Sequence, residues 1–461
     1  MFDVNVAAVL LIALVVLVAM GVHIAIALGT ASAIGIYLVT GGNLTVVQKM
    51  LASTAYEALR DYVFAVIPLF MLMGEFMGRS GAVTDVYHGV NRGLRKIPGR
   101  LGLATVLGNA LFSFVTGVSI ASAAAFSRIS YPEMKRHGYH RGFALGTIAG
   151  SSCLGMLIPP SVLMIVWGLL TEESIGQIFL AGVIPGLMVA FFYCAYVFGV
   201  AILRPHVVGA AAPPAAHAGS TVGAAQVSAA AHGDADDERV SPLSVWTSTL
   251  GILLMIVTVL GGIWFGLFTP TEGAGAGAFI ALVLAILKGV RIRGIIDSIL
   301  AVGRTSAPIL ILLVTAALYS RSLAMTGVTS AIQNAFLETG LGPGMILAIM
   351  ILIWFLLGMV IDSISIMLLT VAIFEPIAVT IGFNPIAFAI IGILAIEAGL
   401  LTPPFGLLVY TVKAAIGDDD VSIWQIFASS TPYWLIMLLS VLLLAIFPQI
   451  ATFLPNLAFG P

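Results

Sequence analysis

Charge is what this chain has least of. Of its 461 residues only 9% are Asp, Glu, Lys or Arg and 60% are hydrophobic, with a mean hydropathy of +1.12. A water-soluble domain of that length could not clothe its surface with so little polarity. Cysteine is equally scarce: Cys153 and Cys194 are the two present, both in apolar surroundings, which supports neither a disulfide framework nor a metal site. No Gly-rich loop ends in Gly-Lys-Ser or Gly-Lys-Thr, no cysteine and histidine cluster occurs, and no soluble domain is left to house ATP. Enzymatic chemistry, a nucleotide-driven pump and an organic cofactor therefore find no support. The net charge of -2 singles out no partner, and nothing points to nucleic acid.

What the chain has in quantity is apolar runs. Residues 6–27, 177–203, 245–268 and 434–453 each approach or exceed the roughly 20 residues that cross a bilayer. The first run lacks a basic leading region and a small-residue cleavage site, so it reads as a retained helix and not as a signal peptide. One stretch breaks the pattern. Over 209–241 the chain turns to Ala, Gly, Pro and Ser with the polar group Asp234, Asp236, Asp237, Glu238 and Arg239, the composition of a flexible linker between two hydrophobic parts.

Those parts share one plan. At a single spacing Ser119 falls on Ser363, Pro132 on Pro376, Gly138 on Gly382, Gly155 on Gly399, and Pro159-Pro160 on Pro403-Pro404. Slightly different spacings bring Pro68 onto Pro308, and the run from Ser174 to Phe179 onto that from Ser422 to Phe427. Glycine and proline set backbone shape, so matched glycines and prolines mean matched helix breaks. The expected organisation is a first repeat at 1–208, a cytoplasmic linker at 209–241 and a second repeat at 242–461.

Basic residues set the orientation, because Lys and Arg gather in cytoplasmic loops. Arg92, Arg95, Lys96 and Arg100 form one cluster; Arg128, Lys135, Arg136 and Arg141 form the next. A single crossing between them would place the clusters in opposite compartments. A re-entrant hairpin at about 101–127, turning near Thr116 to Ser119, keeps both inside; irregular backbone at that depth is tolerated where it lines protein or water. The matching hairpin at about 344–374, with its tip at 358–365, has no basic cluster at either end and is expected to enter from the other side. Each half then holds five crossings and one hairpin. Five being odd, the halves are inverted copies, an all-α polytopic plan used by secondary transporters whose sites lie at helix breaks near mid-membrane.

The expected breaks are the double prolines, in interrupted helices at about 142–171 and 386–416. Two successive prolines remove two amide donors and free carbonyls near Gly155, Ile158, Gly399 and Thr402. Facing each break is a hairpin tip bearing hydroxyls: Thr116, Ser119 and Ser122 in one half, Ser363 and Ser365 with Asp362 in the other. Carbonyls and hydroxyls suit Na+, and helix N-termini aimed at the same level suit an anion. The plainer alternative is that Pro-Pro kinks a helix and Ser or Thr packs helices together. Among charged residues inside apolar stretches, Glu75 and Glu375 are expected to pair with Arg or lie at interfaces, whereas Asp362 and Glu397 stand close enough to the breaks to touch ion or solute. Candidate solute contacts are thus Ser119, Ser122, Ser161, Asp362, Ser365 and Glu397.

Leu111 to Ser119, Met134 to Tyr139, Ile158-Pro159-Pro160-Ser161 and Gly399 to Pro404 together resemble motifs of the large membrane subunit of tripartite ATP-independent periplasmic (TRAP) transporters, a resemblance running over nearly the whole chain with the linker as the main departure. It implies an elevator-type protein of the bacterial inner membrane that works with a small four-helix membrane subunit and a periplasmic solute-binding protein, and moves organic acid anions such as C4-dicarboxylates, keto acids or sialic acid with Na+ as coupling ion. It also implies a first sodium site from Thr116, Ser119, Gly155, Ile158 and Pro160, and a second from Gly358, Ser363, Gly399, Thr402 and Phe405. Four positions depart from the family pattern: Thr116 and Val118 in a tip reading Thr-Gly-Val-Ser where Ser-Gly-Ser-Ser is frequent, Ser122 where Asp is frequent, and Glu397 where the residue is mostly apolar. Rival readings are a stand-alone dicarboxylate or citrate symporter needing no binding protein, a channel, and a structural subunit with no pathway of its own.

Overall fold

The computed structural model describes residues 4–209, 241–338, 340–418 and 420–460. The expected linker, apart from its end residues, lies outside the described residues. Among these the backbone is helical throughout, with one isolated bridge between Tyr139 and Val208. In hydrocarbon a backbone without water must satisfy itself, which a helix does. Among the described residues eight helical stretches, Arg141–Thr171 counted as one, are long and apolar enough to cross a bilayer.

The first half runs α1 (Val4–Ala19), α2 (Ile24–Val39), α3 (Leu44–Arg60), α4 (Val66–Arg79), α5 (Ala82–Gly93), α6 (Arg100–Thr116), α7 (Ser119–Arg136), α8 (Arg141–Ser152), α9 (Leu154–Leu157), α10 (Val162–Thr171) and α11 (Ile175–Leu203). The second runs α12 (Pro242–Trp264), α13 (Pro270–Leu287), α14 (Ile292–Thr326), α15 (Val328–Glu338), α16 (Pro343–Gly358), α17 (Ser363–Thr380), α18 (Pro385–Gly399), α19 (Leu407–Ile416), α20 (Ile423–Ile446) and α21 (Gln449–Phe459). Polar caps mark the starts where the chain re-enters apolar sequence. Asn384 accepts from the amides of Ile386 and Ala387, and Thr269 with Glu272 forms a capping box.

α6 and α7 form a hairpin whose two ends lie together. Arg100 Nη2 meets His137 Nε2 at 3.2 Å, and the amide of Leu101 donates to the Tyr139 hydroxyl at 3.2 Å. Thr105 and Ser130 hydrogen bond one another further along, and Gly117 turns the chain at φ 61°. The segment therefore enters and leaves by one face, and it is longer than expected, reaching Arg136. α16 and α17 repeat the arrangement over 343–380.

The halves interlock pair by pair. α2 packs along α14 and its counterpart α13 along α4; α8 packs along α20 and its counterpart α18 against α11; α7 meets α19 as α10 meets α17. Where the first half has α3, a short 3-10 turn at Tyr62–Ala65 and α4, the second has one continuous 35-residue helix, α14. Trp167, Trp354 and Phe388 close the junction of α10, α16 and α18, their ring centroids 5.1 to 6.0 Å apart, and Trp354 Nε1 donates to Thr370 Oγ1 at 2.7 Å.

Candidate functional site

Each double proline interrupts a helix, and each interruption is met by a hairpin tip. In the first half α9 ends at Leu157, residues 158–161 bend through a cis Pro159–Pro160 bond, and α10 begins at Val162. Pro159 and Pro160 have no amide hydrogen to offer the carbonyls of Gly155 and Met156. The Ser161 hydroxyl takes over one of them, donating to Met156 O at 2.5 Å while it accepts from the Met164 amide at 3.4 Å. In the second half α18 ends at Gly399 and α19 begins at Leu407. The Gly399 carbonyl, expected to be free, accepts from Thr402 N at 3.0 Å and Thr402 Oγ1 at 2.6 Å. Thr402 thus repairs the break that Pro403 makes.

The tips are bonded to the breaks. Val162 N donates to Gly117 O at 3.1 Å, and in the other half Phe405 N and Gly406 N donate to Met359 O at 3.1 and 3.3 Å. This close approach is why glycine stands at the contact: a Cβ on Gly399 would lie 2.5 Å from Phe355 O and 2.7 Å from Gly358 Cα, and one on Gly155 would lie 3.0 Å from the Ser119 backbone.

Between the tips sits one carboxylate. Ser119, the first residue of α7, donates to Glu397 Oε2 at 2.5 Å; Ser363, the first residue of α17, donates to Oε1 at 2.7 Å. Glu397 is 0% exposed and belongs to α18, one turn before the second break. Cys153 Sγ reaches the carbonyl of the same residue at 3.7 Å. The glutamate therefore joins both tips.

Of the other expected site residues, Ser122 lies one turn beyond Ser119, buried, its hydroxyl without a hydrogen-bond partner. Thr116 Oγ1 donates within its own helix to Phe112 O at 3.1 Å. Asp362 caps α17 by accepting from the amide of buried Ser365 at 3.0 Å. Ile158 and Pro160 are buried, whereas Phe405 is 58% exposed. Gly358 packs its backbone on that of Gly399. Glu75 pairs with Arg79 at 2.7 Å, and Glu375 lies half-buried on α17, which packs on α10, and faces Glu173. Met359 and Gly117, whose carbonyls fasten the tips, carry no side-chain signal that marks them in sequence.

Two polar links near helix ends add ties between elements. Lys135 at the end of α7 reaches Asp418 beyond α19 at 2.9 Å, and the Tyr131 hydroxyl donates to the same carboxylate at 3.1 Å. The bond to Lys135 holds the Asp418 carboxyl below the usual carboxylate range. On α5, Asp85 is partly buried, which opposes its charge, but bonds from Lys288, Ser244 and Ser248 outweigh that and lower it. α5 is thereby tied to α12 and the end of α13.

The oxygen set at the tips suits a hard monovalent cation: hydroxyls of Ser119, Ser363 and Thr402, a Gly155 carbonyl with no helical donor, and a carboxylate. Comparison with known proteins gives the family. The family model described as "Tripartite ATP-independent periplasmic transporter, DctM component" matches residues 11–450. The C4-dicarboxylate TRAP transporter large permease protein DctM of Pseudomonas aeruginosa is 29% identical, over 88% of this chain and 90% of that protein. The ectoine TRAP transporter large permease protein TeaC of Halomonas elongata is 28% identical, over 92% and 93%, and the sialic acid protein SiaM of Vibrio cholerae 26%, over 87% and 88%. Among solved structures, the YdaH transporter of Alcanivorax borkumensis superposes with a TM-score of 0.62 at 16% identity over 90% of each chain. MtrF of Neisseria gonorrhoeae superposes at 0.60 and 14%, over 89% of this chain and 85% of that one. At such identities these two likenesses speak to the fold alone. With hairpins, double-proline breaks and a family match over nearly its whole length, the chain belongs to the DctM component, the large permease subunit, of the tripartite ATP-independent periplasmic transporters, multi-pass proteins of the bacterial inner membrane.

Proposed function

We propose that this chain is the conducting subunit of a Na+-coupled importer of an organic acid anion, such as a C4-dicarboxylate, keto acid, sialic acid or similar carboxylate. It takes the solute from a periplasmic binding protein and works beside a small four-helix membrane subunit. The observation that carries the reading is the meeting of two hairpin tips with two broken helices, so that oxygen ligands from both halves and the N-termini of α7 and α17 converge. Na+ at Ser119 and the Gly155 carbonyl, and at Ser363 and Thr402, would supply the positive charge that holds an anionic solute.

The packing supports one state of an alternating cycle. α10 lies against α4 and α14, and α17 against α14, while α7 and α19 pack on one another and on α8. Beside this second branch Ile120 is 39% exposed and Phe405 58%. On this reading Arg128, Lys135 and Arg136 along α7 put that branch on the cytoplasmic side, in a state closed outward and open inward.

Reconstituted with its two partner proteins, the chain is expected to accumulate radiolabelled solute under an inward Na+ gradient and to lose that uptake when the binding protein is withheld. Uptake independent of the binding protein would favour the stand-alone symporter, and single-channel currents the pore.

A further inference from the structure

We propose that the chain carries a seat for one anionic phospholipid of the inner leaflet, in two adjoining apolar grooves that begin under the basic turn after α5. The seat needs no part of the Na+-coupled reading; the leaflet alone follows from the orientation given there.

Shape is the first argument. One groove, of about 510 Å3, lies between α5, α6 and the start of α12, and apart from Arg92 and Thr249 it is lined by apolar side chains and glycines. The other, of about 540 Å3, lies between α5, α6 and α11 and is lined wholly by apolar side chains, Cys194 among them. Val90 and Leu111 line both, so the grooves adjoin. Both reach the end of α5, where Arg92 and Gly93 border the first and Leu94 the second. Two apolar channels leaving one point fit the two chains of a single diacyl lipid. A membrane-spanning helix, about 10 Å wide and 30 Å long, is several times larger than either. Asp85, bonded to Ser244, Ser248 and Lys288, ties α5 to α12 and holds the walls of the first groove in place.

Charge is the second. From Val86 to Leu111 the chain has no Asp or Glu, and its basic residues Arg92, Arg95, Lys96 and Arg100 fall at the end of α5 and in the turn to α6. Arg95 and Lys96 are exposed and form no ion pair among the described residues. Trp246, 73% exposed on the wall of the first groove, is a residue type that settles at the level of lipid headgroups. A basic cluster at the cytoplasmic end of membrane helices, with an apolar cleft beneath it, draws an anionic headgroup. Orientation accounts for basic residues in this turn, but not for two clefts below them.

The third argument is the other half of the chain. The spacing that brings Ser119 onto Ser363 also brings Leu103 onto Leu347, Leu107 onto Ile351 and Leu111 onto Phe355, and these line a groove of about 440 Å3 between α16 and α20. No charged residue lines it, and no Lys or Arg occurs in 322–412. The repeated hairpin explains an apolar groove in each half; the basic rim belongs to the first half alone.

The test uses the purified, delipidated full chain in a nonionic detergent and reads lipid binding by native mass spectrometry, with phosphatidylglycerol and phosphatidylcholine of identical acyl chains as probes. The wild type is expected to bind phosphatidylglycerol at least tenfold more tightly, and equal binding overturns the proposal. Arg95→Gln combined with Lys96→Gln alters two exposed side chains outside the packed core. It is expected to cut that preference about tenfold and to leave phosphatidylcholine unmoved; a preference that survives intact overturns the proposal. Leu107→Trp, which fills the second groove, is expected to weaken both lipids about tenfold, and unchanged binding places the chains elsewhere and overturns the seat. Should that variant not fold, phosphatidylglycerol brominated in its acyl chains is expected to quench the fluorescence of Trp246, read as the difference from Trp246→Phe; no difference has the same adverse meaning. Glycerol phosphate, a head without chains, is expected not to compete, and competition would mean a soluble phosphate site in place of a lipid one. Sodium and solute enter none of these readouts, so their failure leaves the transport reading intact and failure of that reading leaves the lipid seat intact.

Discussion

A single buried carboxylate shared by two serines makes the site unusually sensitive to one-atom changes. Ser119→Ala and Thr402→Ala each remove a hydroxyl proposed to bind sodium, and each is expected to raise the Na+ concentration for half-maximal uptake roughly tenfold. Unchanged sodium activation in both would contradict the ligand assignment. Gly399→Ala tests packing instead. The added methyl would meet Phe355 O at 2.5 Å and Gly358 Cα at 2.7 Å, both backbone atoms that cannot swing aside. A loss of about 1–3 kcal/mol in stability is expected, read as a lowered melting temperature; a neutral substitution would mean that the two segments do not touch. At this scale the sequence told less than half of the story. It marked Ser119, Ser363 and Glu397 individually, yet their junction joins residues 278 and 34 positions apart, and no local pattern announces such a meeting. Ser161 and Asp362 were legible as site residues because they are polar beside a break, but the same hydroxyl and carboxylate are what a helix start requires, and the structure uses both as caps.

Helices and their breaks were the most legible level. Proline and glycine act on the backbone directly, and the helices flanking the double prolines run from Arg141 to Thr171 and from Pro385 to Ile416. Positive charge at both ends of one segment gave away the hairpin, because two basic loops cannot share a crossing. The hairpin lengths were read short: polar residues along α7, among them Arg128 and Ser130, look like a loop in sequence, yet Ser130 is buried against Thr105 and Tyr87. A labelling experiment belongs at this level. Single cysteines in place of Ile120 and Phe405, in a chain lacking Cys153 and Cys194, are expected to react with a membrane-impermeant maleimide in inside-out vesicles and to be protected in intact cells held without a sodium gradient. The reverse pattern would invert the orientation.

Taken whole, the molecule is two related halves, several of whose main contacts have a counterpart in the other half, joined at the tips by one side chain. The repeat was visible in sequence because glycines and prolines kept their spacing; the interlocking was not, since apolar surfaces of Leu, Ile and Val carry no instruction about which helix they will meet. The segment at 209–241 is rich in Ala, Gly, Pro and Ser, with a polar cluster and no apolar period. Replacing it by a short Gly-Ser tether is expected to preserve membrane insertion and folding, and loss of insertion would show that the segment does more than connect. The most direct test of the account is uptake into proteoliposomes holding the chain and its small membrane partner, with the solute-loaded binding protein outside and sodium imposed on one side. Accumulation driven by inward sodium, absent with potassium and weakened in Ser119→Ala, is the predicted result; solute uptake that ignores the sodium gradient would contradict it.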